Sequence, residues 1–364
     1  MTSVHVPFDT RIFHKECRSL AEAGHEVHLV ARAERDEAVD GVHVHAVRGF
    51  SGKLSRIVSA PGEVKRTALA LDCDVYHLHD PELLPAGIEL VRRGKAVVYD
   101  AHEDYPDYFR RRRDYPALVR LPASIVIGAL ERHGARVFDA VVTPTPVIEE
   151  RFRRLGARTV LVRNYPFSAD LVMDDPPDAV RGNELVYVGA LTLDRGVTEM
   201  VEAAALAAET MDLRLQIAGD FACPEDEAAV RNLSGFAVAE YLGHTTREQT
   251  RALYARAAIG LLLLHPLSHY MNSYPTKLFE YMAAGLPVIA SDFPLWRPIF
   301  EETGCGVLVD SSDVQAVADA IVSLLRDPGK ARDTGRRGRE AVAGRYNWER
   351  EKPVLLSLYD SLGR

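Results

Sequence analysis

The sequence predicts an α/β protein made of two doubly wound, Rossmann-like parallel-sheet domains, and three observations predict it. Short apolar runs alternate with helical stretches from end to end, as a parallel sheet covered by helices requires. A segment rich in Asp, Pro and Ala, with DDPPD inside residues 166–183, interrupts that alternation once near the middle. The alternation then restarts and continues for a comparable length.

In the first half the runs are EVHLVA (26–31), HVHAV (43–47), DVYHLH (74–79), KAVVYDA (95–101), DAVVTP (139–144) and RTVLVRN (158–164). Each is a short apolar stretch bounded by turn residues, the pattern of a buried strand. Thr2–His5 stands where the first strand belongs and is short for one, although DTRIFHKECRSLAEAGHEV after it is an intact loop and helix. A start site placed several residues too late would explain this. In the second half the runs are ELVYVG (184–189), LRLQIAG (213–219), VAEYLG (238–243), AIGLLLL (258–264), LPVIAS (286–291) and GVLVD (306–310). Ahead of LPVIAS, Thr276 to Ala284 reads as a helix with Leu278, Tyr281 and Met282 inward. Pro275 suits its first position and Gly285 its stop. Tyr346 to Leu362 is helical by the spacing of Trp348, Val354, Leu355, Leu358 and Leu362. The expected boundaries are 1–166 with about 346–364 crossing back to the first domain, a linker at 167–183, and a second domain at 184–345. Ligands commonly lie between such domains, so the two are expected to face a common cleft.

Composition narrows the function. Of 364 residues, 47% are hydrophobic and 26% charged, as in an ordinary soluble globular protein, and the length favours two cores. A net charge of −8 argues against a general nucleic-acid binder. Cys17, Cys73, Cys223 and Cys305 have no paired spacing, so neither a disulfide framework nor a zinc site is expected and a reducing cytoplasm is the simplest setting. There is no signal-peptide pattern and no apolar run of about 18 residues, so membrane contact would be peripheral, at an inner membrane face.

The motifs with chemistry lie at predicted strand ends. YVGALTLDRG (187–196) is a strand, a small-residue turn, a basic residue and a glycine at a helix entry. Backbone N–H groups after Gly189 and the helix N-terminus can hold a pyrophosphate, with Arg195 as a bidentate fork. An ordinary turn with a surface arginine would explain this motif equally well if it stood alone. In the 276–284 helix, however, Glu280 and Lys277 share the polar face; a carboxylate one turn into a helix suits ribose hydroxyls better than phosphate. The loop from His265 to Tyr274 holds His269, Asn272 and Ser273, which can address the polar face of a sugar. In the first half, His102 and Glu103 follow one strand, while His79, Asp80 and Glu82 end its neighbour, together forming a substrate wall. Arg11, His14 and Lys15 could pair with an anionic acceptor; capping by Asp9 plus solvated charges is the plain alternative. Histidine-based metal binding lacks a helical ligand pair and a third ligand, so no metal is expected. FRRRRDYP (109–116), followed by the partly amphipathic ALVRLPASIVIGALERHGARVF, would be drawn to an acidic membrane surface at about 1 kcal/mol per basic residue. A solvated loop is the preferred reading of that run. Asp174 and Asp175 read as solvated linker charges.

Together FDTRIFHKE, YDAHEDYP, YVGALTLDRG and SYPTKLFEYMAAGLPVIAS resemble the retaining glycosyltransferases of family 4, which have the GT-B fold. The resemblance spans nearly the whole chain. It implies that the second domain binds a nucleotide-diphosphate sugar, a UDP-sugar by preference with GDP open, and that the first binds the acceptor. The family signature of two glutamates falls on Asn272 and Glu280, which removes a negative charge at the sugar and keeps the ribose ligand. The diphosphate cations fall on Ala190 and Arg195, and Lys277 offers a substitute charge. By the same match His102 lies beside the donor sugar and Tyr241, Leu242, Gly243 and His244 at the base. Gly219, His269, Ser273, Tyr274, Pro275 and Thr276 complete the implied donor site; Asp9, Arg11, His79, Asp80, Glu82 and Glu103 make the implied acceptor wall. No cofactor is implied. The acceptor would be a polysaccharide intermediate, a lipid-linked glycan or a secondary metabolite, and the enzyme cytoplasmic. Two rivals use the same scaffold: a nucleotide-sugar epimerase working with His102, Asp80 and Glu103, and a non-catalytic nucleotide-sugar-binding subunit. An NAD-dependent oxidoreductase lacks its Gly-x-Gly-x-x-Gly turn.

Overall fold

A computed structural model describes residues 1–48, 53–111, 116–168 and 182–363. The expected linker residues Asp174 and Asp175 and the middle of the arginine run lie outside the described residues. The chain divides into two compact units, Met1–Asn164 with Trp348–Arg364, and Tyr165–Asn347.

The first unit holds two sheets. One has the order β1 (Val27–Arg32), β3 (Val42–Val47), β2 (Glu37–Val39), and the other runs β4 (Val75–Leu78), β5 (Ala96–Asp100), β6 (Ala140–Thr143), β7 (Thr159–Leu161). Among the described strands only β2 is antiparallel, pairing β3 through Val39 and Val42. Asp40 and Gly41 between them both have positive φ (50° and 79°), the geometry of a two-residue type I′ hairpin turn. The sequence reading missed β2, although Asp-Gly was a signal for it. Val97, Val98 and Tyr99 of β5 and Val141 and Val142 of β6 are fully buried, as covered parallel strands must be.

The expected short first strand at Thr2–His5 does not form. Instead Asp80 Oδ2 accepts from Thr2 Oγ1 (2.8 Å), Ser3 N (2.5 Å) and Val4 N (3.2 Å), drawing those donors away from a ladder. Only Met1 and Thr2 bridge the edges of β1 and β4, through Thr2 N to Val30 O (2.9 Å) and Met1 N to His77 O (2.6 Å). A cavity of about 230 Å³ adjoins them, with Glu16, His28, His77 and Tyr359 in its lining. The C-terminal helix Trp348–Leu362 packs on this unit. Trp348 Nε1 donates to Ser19 Oγ (3.0 Å), and Glu351 accepts from Arg163 N (2.9 Å).

The second unit has one six-stranded parallel sheet of β8 (Glu184–Val188), β9 (Arg214–Ala218), β10 (Ala239–Tyr241), β11 (Ile259–Leu262), β12 (Val288–Ser291) and β13 (Gly306–Val309). Its order is β10-β9-β8-β11-β12-β13. The chain therefore winds outward in one direction from β8 and in the other from β11. The crevice beyond the carboxyl ends of β8 and β11 is the switch point at which open α/β sheets take ligands. Strand β8 leads into the Gly189 turn, and β11 leads into the segment from His265 to Tyr274.

Candidate functional site

At the switch point three glycines end three neighbouring strands. Gly189, Gly219 and Gly243 all have positive φ (152°, 132° and 67°). Gly189 N donates to Ala218 O (2.8 Å), and Gly219 N donates to Gly243 O (2.7 Å). A side chain at Gly219 would overlap the Gly189 carbonyl, so glycine is required there by space as well as by φ. Tyr241 Oη donates to Gly219 O (3.1 Å), with Arg231 4.9 Å over its ring. Leu242 N continues the ladder to Ile217 O (2.9 Å). His244 is exposed and pairs with exposed Asp220 (3.1 Å).

The loop after Gly189 is tied to the end of β11. Leu193–Arg195 form a 3-10 turn ending on Gly196 (φ 72°), whose missing side chain leaves room for the Leu263 carbonyl. His265 N donates to Asp194 O (2.9 Å), Tyr270 Oη donates to Asp194 Oδ2 (3.1 Å), and the Arg195 guanidinium lies 5.7 Å over the Tyr270 ring. These bonds hold Arg195 at the mouth of the switch point. The segment from His265 to Tyr274, expected to be an open loop, contains a four-residue helix, Ser268–Met271. Asn272 comes next, with its N–H donating to Ser268 O (3.0 Å). His269 is exposed beside Tyr270, and the Ser273 carbonyl accepts from buried Trp296 Nε1 (2.8 Å). Tyr274 packs against Tyr165 and Phe279.

The next helix runs Thr276–Ala283, with Pro275 as its N-cap (φ −71°, ψ 132°) rather than its first residue. Leu278, Phe279, Tyr281 and Met282 are buried, and Gly285 (φ 68°) stops the helix. The opposite face carries Lys277 and Glu280. Lys277 lies against the Gly189 turn; a β-carbon added at Gly189 would meet Lys277 Nζ at 2.7 Å. Burial lowers the pKa of this ammonium and Arg195 adds to the effect, while Glu280 opposes it. Glu280 Oε2 accepts from Tyr254 Oη (3.1 Å). Two cations, a glycine turn and a carboxylate one helical turn away thus occupy one end of one sheet. That arrangement can hold a dianion and a vicinal diol together. Tyr254 and Trp296, which help position it, come from remote elements with no local signal in the sequence, whereas Tyr187, donating to Ala190 O (3.0 Å), and Tyr270 lie inside the quoted segments and were passed over there.

The first unit presents a different picture. Asp9 caps the Thr10–Cys17 helix, accepting from Arg11 N (2.8 Å) and Ile12 N (3.0 Å), as its place before that helix leads one to expect. Arg11, expected to be open to an anion, is 5% exposed. Its guanidinium donates to both oxygens of Asp100 (2.8 and 3.0 Å) and to Val162 O (3.1 Å). Lys15, expected to be solvated or anion-binding, is buried and donates to Asn164 Oδ1 (2.6 Å). Asp80 is spent on the N-terminal turn, and His5 Nε2 also reaches it (3.4 Å). His79 lies 3.5 Å from Asp100 and 3.4 Å from His102; burial pushes its pKa down to about 3. His102 Nε2 lies 3.2 Å from Asp100 Oδ2 and is partly exposed. Glu82 is on the Pro81–Leu83 turn and Glu103 is exposed just past β5.

Asp100 organises this cluster. It stands inside the quoted motif YDAHEDYP, yet sequence reasoning passed over it for its neighbours. Its own burial is outweighed by Arg11 and the histidines, which hold it ionised, while burial and Asp100 together push Glu16 well up. Glu16, His77, His79 and Asp100 each offer a ligand atom within 4.8 Å of the others, a grouping that sequence spacing did not reveal. Arg11 already lies against both carboxylates, 2.8 Å from Asp100 and 3.0 Å from Glu16, so this cluster contains its own counter-charge.

Comparison with known proteins agrees with the fold and both halves of the chain. Residues 10–164 match the family model for glycosyltransferase family 4, and residues 174–341 match that for glycosyl transferases group 1. A phosphatidyl-myo-inositol mannosyltransferase of Mycobacterium leprae is 24% identical over 93% of this chain and 89% of its own. A glycogen synthase of Mycobacterium tuberculosis is 24% identical over 96% and 90%. Among solved structures, sucrose-phosphate synthase from Thermosynechococcus elongatus superposes with a TM-score of 0.72 at 21% identity, covering 95% of this chain and 91% of that one. Anabaena HepE in complex with UDP-glucose gives 0.68 at 14% identity, covering 95% and 94%. With a parallel sheet wound from a switch point in the second unit and family models matched over residues 10–164 and 174–341, the chain belongs to glycosyltransferase family 4 and is a glycosyltransferase of GT-B fold.

Proposed function

We propose that this glycosyltransferase moves a hexose from a UDP-sugar, with retention at the anomeric carbon, to a hydroxyl of a glycan, lipid-linked or small-molecule acceptor. The observation that carries the donor reading is Lys277 packed against the Gly189 turn while Arg195 is held nearby by Tyr270. Two cations compensate for Ala190, which stands where the family keeps a basic residue. Glu280, steadied by Tyr254, takes the ribose hydroxyls. The structures of Anabaena HepE in complex with UDP and with UDP-glucose support uracil as the base.

In the reaction proposed, the bond from the anomeric carbon to the diphosphate oxygen breaks first and leaves an oxocarbenium-like sugar. The acceptor oxygen attacks on the same face, and its proton passes to the departing diphosphate. No protein carboxylate serves as base, and no metal takes part. The protein supplies position and charge: Arg195 and Lys277 stabilise the negative charge that grows on the leaving group. Asn272 is assigned to a donor-sugar hydroxyl, and His102, oriented by Asp100, to the sugar as well.

Arg195→Ala tests this. Turnover with a UDP-sugar is expected to fall by about 10²–10³, as when a positioned donor to developing charge is removed, with little change in thermal unfolding. UDP should raise the melting temperature more than GDP does. Unchanged turnover in the variant, or stabilisation by GDP alone, would remove the diphosphate assignment or the choice of base respectively.

A further inference from the structure

The helix Ala117–Val137 has an outward face unlike any other among the described residues. Leu118 is 90% exposed, Ile125 63%, and Val119, Leu121 and Val126 each more than half. Five of the twelve large hydrophobic side chains exposed among the described residues therefore fall within nine positions of one helix. With Pro122 they recur at the spacing of a single helical stripe. Farther along that stripe stand Arg132, His133 and Arg136, the two arginines exposed. The opposite side is packed: Ser124 Oγ donates to Pro106 O (2.7 Å), and Gly134 and Ala135 are buried near Phe138. The helix has one carboxylate, Glu131, which is 0% exposed and ion-paired to Arg151. The preceding helix, Tyr105–Arg111, adds exposed Arg110 and Arg111, both paired with Asp107.

We propose that this outward face is a docking surface for an anionic lipid bilayer, lying in the membrane plane with the apolar half inserted among the acyl chains. A chain of net charge −8 is repelled as a whole by an anionic surface, so a helix face that exposes Arg132 and Arg136 and, among its described residues, no carboxylate is a local exception that such a surface would select. Twenty-one residues of helix cover about 30 Å, but Arg120, Glu131, Arg132 and Arg136 along that length suit it to shallow burial in the interface rather than to crossing, and no described helix is long and apolar enough to span a membrane. A second copy of the same helix fits less well. Antiparallel pairing would set arginines against leucines, and parallel pairing would set arginine against arginine. The inference is independent of the donor assignment and survives if UDP proves the wrong nucleotide.

The test is flotation of the full-length protein with vesicles of phosphatidylcholine alone and with roughly 30% phosphatidylglycerol, a composition chosen for the anionic content that such electrostatic binding needs. Binding to the anionic vesicles is expected to be at least about tenfold tighter. Leu121→Glu with Ile125→Glu should abolish binding to both, and Arg132→Glu with Arg136→Glu should remove the preference for anionic lipid. All four side chains are exposed, so thermal unfolding should not change. Hydrogen exchange on the wild-type protein provides a second reading: residues 117–137 should gain protection only when anionic vesicles are present. Equal or absent binding to the two vesicle types overturns the proposal. So does a dimer, seen by sedimentation without lipid, that Leu121→Glu with Ile125→Glu dissociates.

Discussion

Replacing Lys277 by methionine separates the two reasons for keeping a lysine where it stands. Burial is the largest influence on its ammonium and works against the charge; Arg195 works the same way, and only Glu280 favours it. Methionine keeps a similar unbranched stem without the charge. The pairing lost with Glu280, three residues on, is worth about 0.2–0.5 kcal/mol. Relief of desolvation outweighs that loss, so the melting temperature should stay within about 2 °C of wild type or rise. Catalysis should respond in the opposite sense. If Lys277 holds the leaving diphosphate, its loss should reduce turnover at saturating donor by about 10²–10³, equivalent to about 2.7–4 kcal/mol. The depressed pKa adds a second signature, because activity should decline on the alkaline side earlier in wild type than in Lys277→Arg. The measurements are thermal unfolding, initial rates and a pH series on the same preparations. A variant that melts well below wild type while keeping more than a tenth of its turnover would make Lys277 a packing residue and refute the reasoning.

Three further outcomes rest on the geometry. Gly219→Ala should cost about 1–3 kcal/mol and weaken UDP binding, since the new methyl overlaps the Gly189 carbonyl at φ 132°; unfolding and calorimetry report the two effects separately. His79 is held neutral down to about pH 3, whereas an unfolded histidine titrates near 6.5, so below that value the unfolded chain binds a proton that the native state refuses. Its contribution to stability is complete above about pH 6.5 and falls as pH drops, by about 1.4 kcal/mol at pH 5.5; denaturant unfolding of His79→Gln should show a correspondingly flatter pH profile. Trp348→Ala should cost about 3–5 kcal/mol, since the ring is 1% exposed and its N–H is bound to Ser19; a loss under about 1 kcal/mol would mean that the C-terminal helix contributes little to the first unit.

Much of this architecture is legible in the sequence because parallel strands buried on both faces must be written as continuous apolar runs. All twelve apolar runs form strands, and the one strand missed among the described residues, β2, is three residues long and antiparallel. The placement of residues around the switch point was legible for a related reason. Gly189, Lys277 and Glu280 each sit within a few residues of a strand end or helix start, so topology fixes their neighbourhood once strand order is known. What escaped was anything set by a side chain from a distant element. Tyr254 and Trp296 orient Glu280 and the Ser273 carbonyl across 26 and 23 residues of chain, and no local pattern marks them. Residues 2–5 escaped for the opposite reason, because a strand-like string was captured by one carboxylate, Asp80.

The first unit buries charges that stand beside its strand ends. A charge beside a strand end reads as open to a ligand, yet Arg11, Lys15, His79, Asp80 and Asp100 are all buried and engaged with one another or with backbone. A bidentate Arg11–Asp100 pair inside the protein is tolerable only while both partners remain, and removing one leaves an uncompensated buried charge at a cost of about 3–5 kcal/mol. Arg11→Ala should therefore abolish transfer by unfolding the unit that contains it. An activity screen alone would record that loss as a lost acceptor contact. The two explanations part on a paired measurement: the network account requires a large drop in melting temperature, partly recovered when Asp100→Asn is added so that neither charge remains. If Arg11→Ala instead melts like wild type and raises only the KM for the acceptor, Arg11 is a ligand-binding residue and the closed network is not its role.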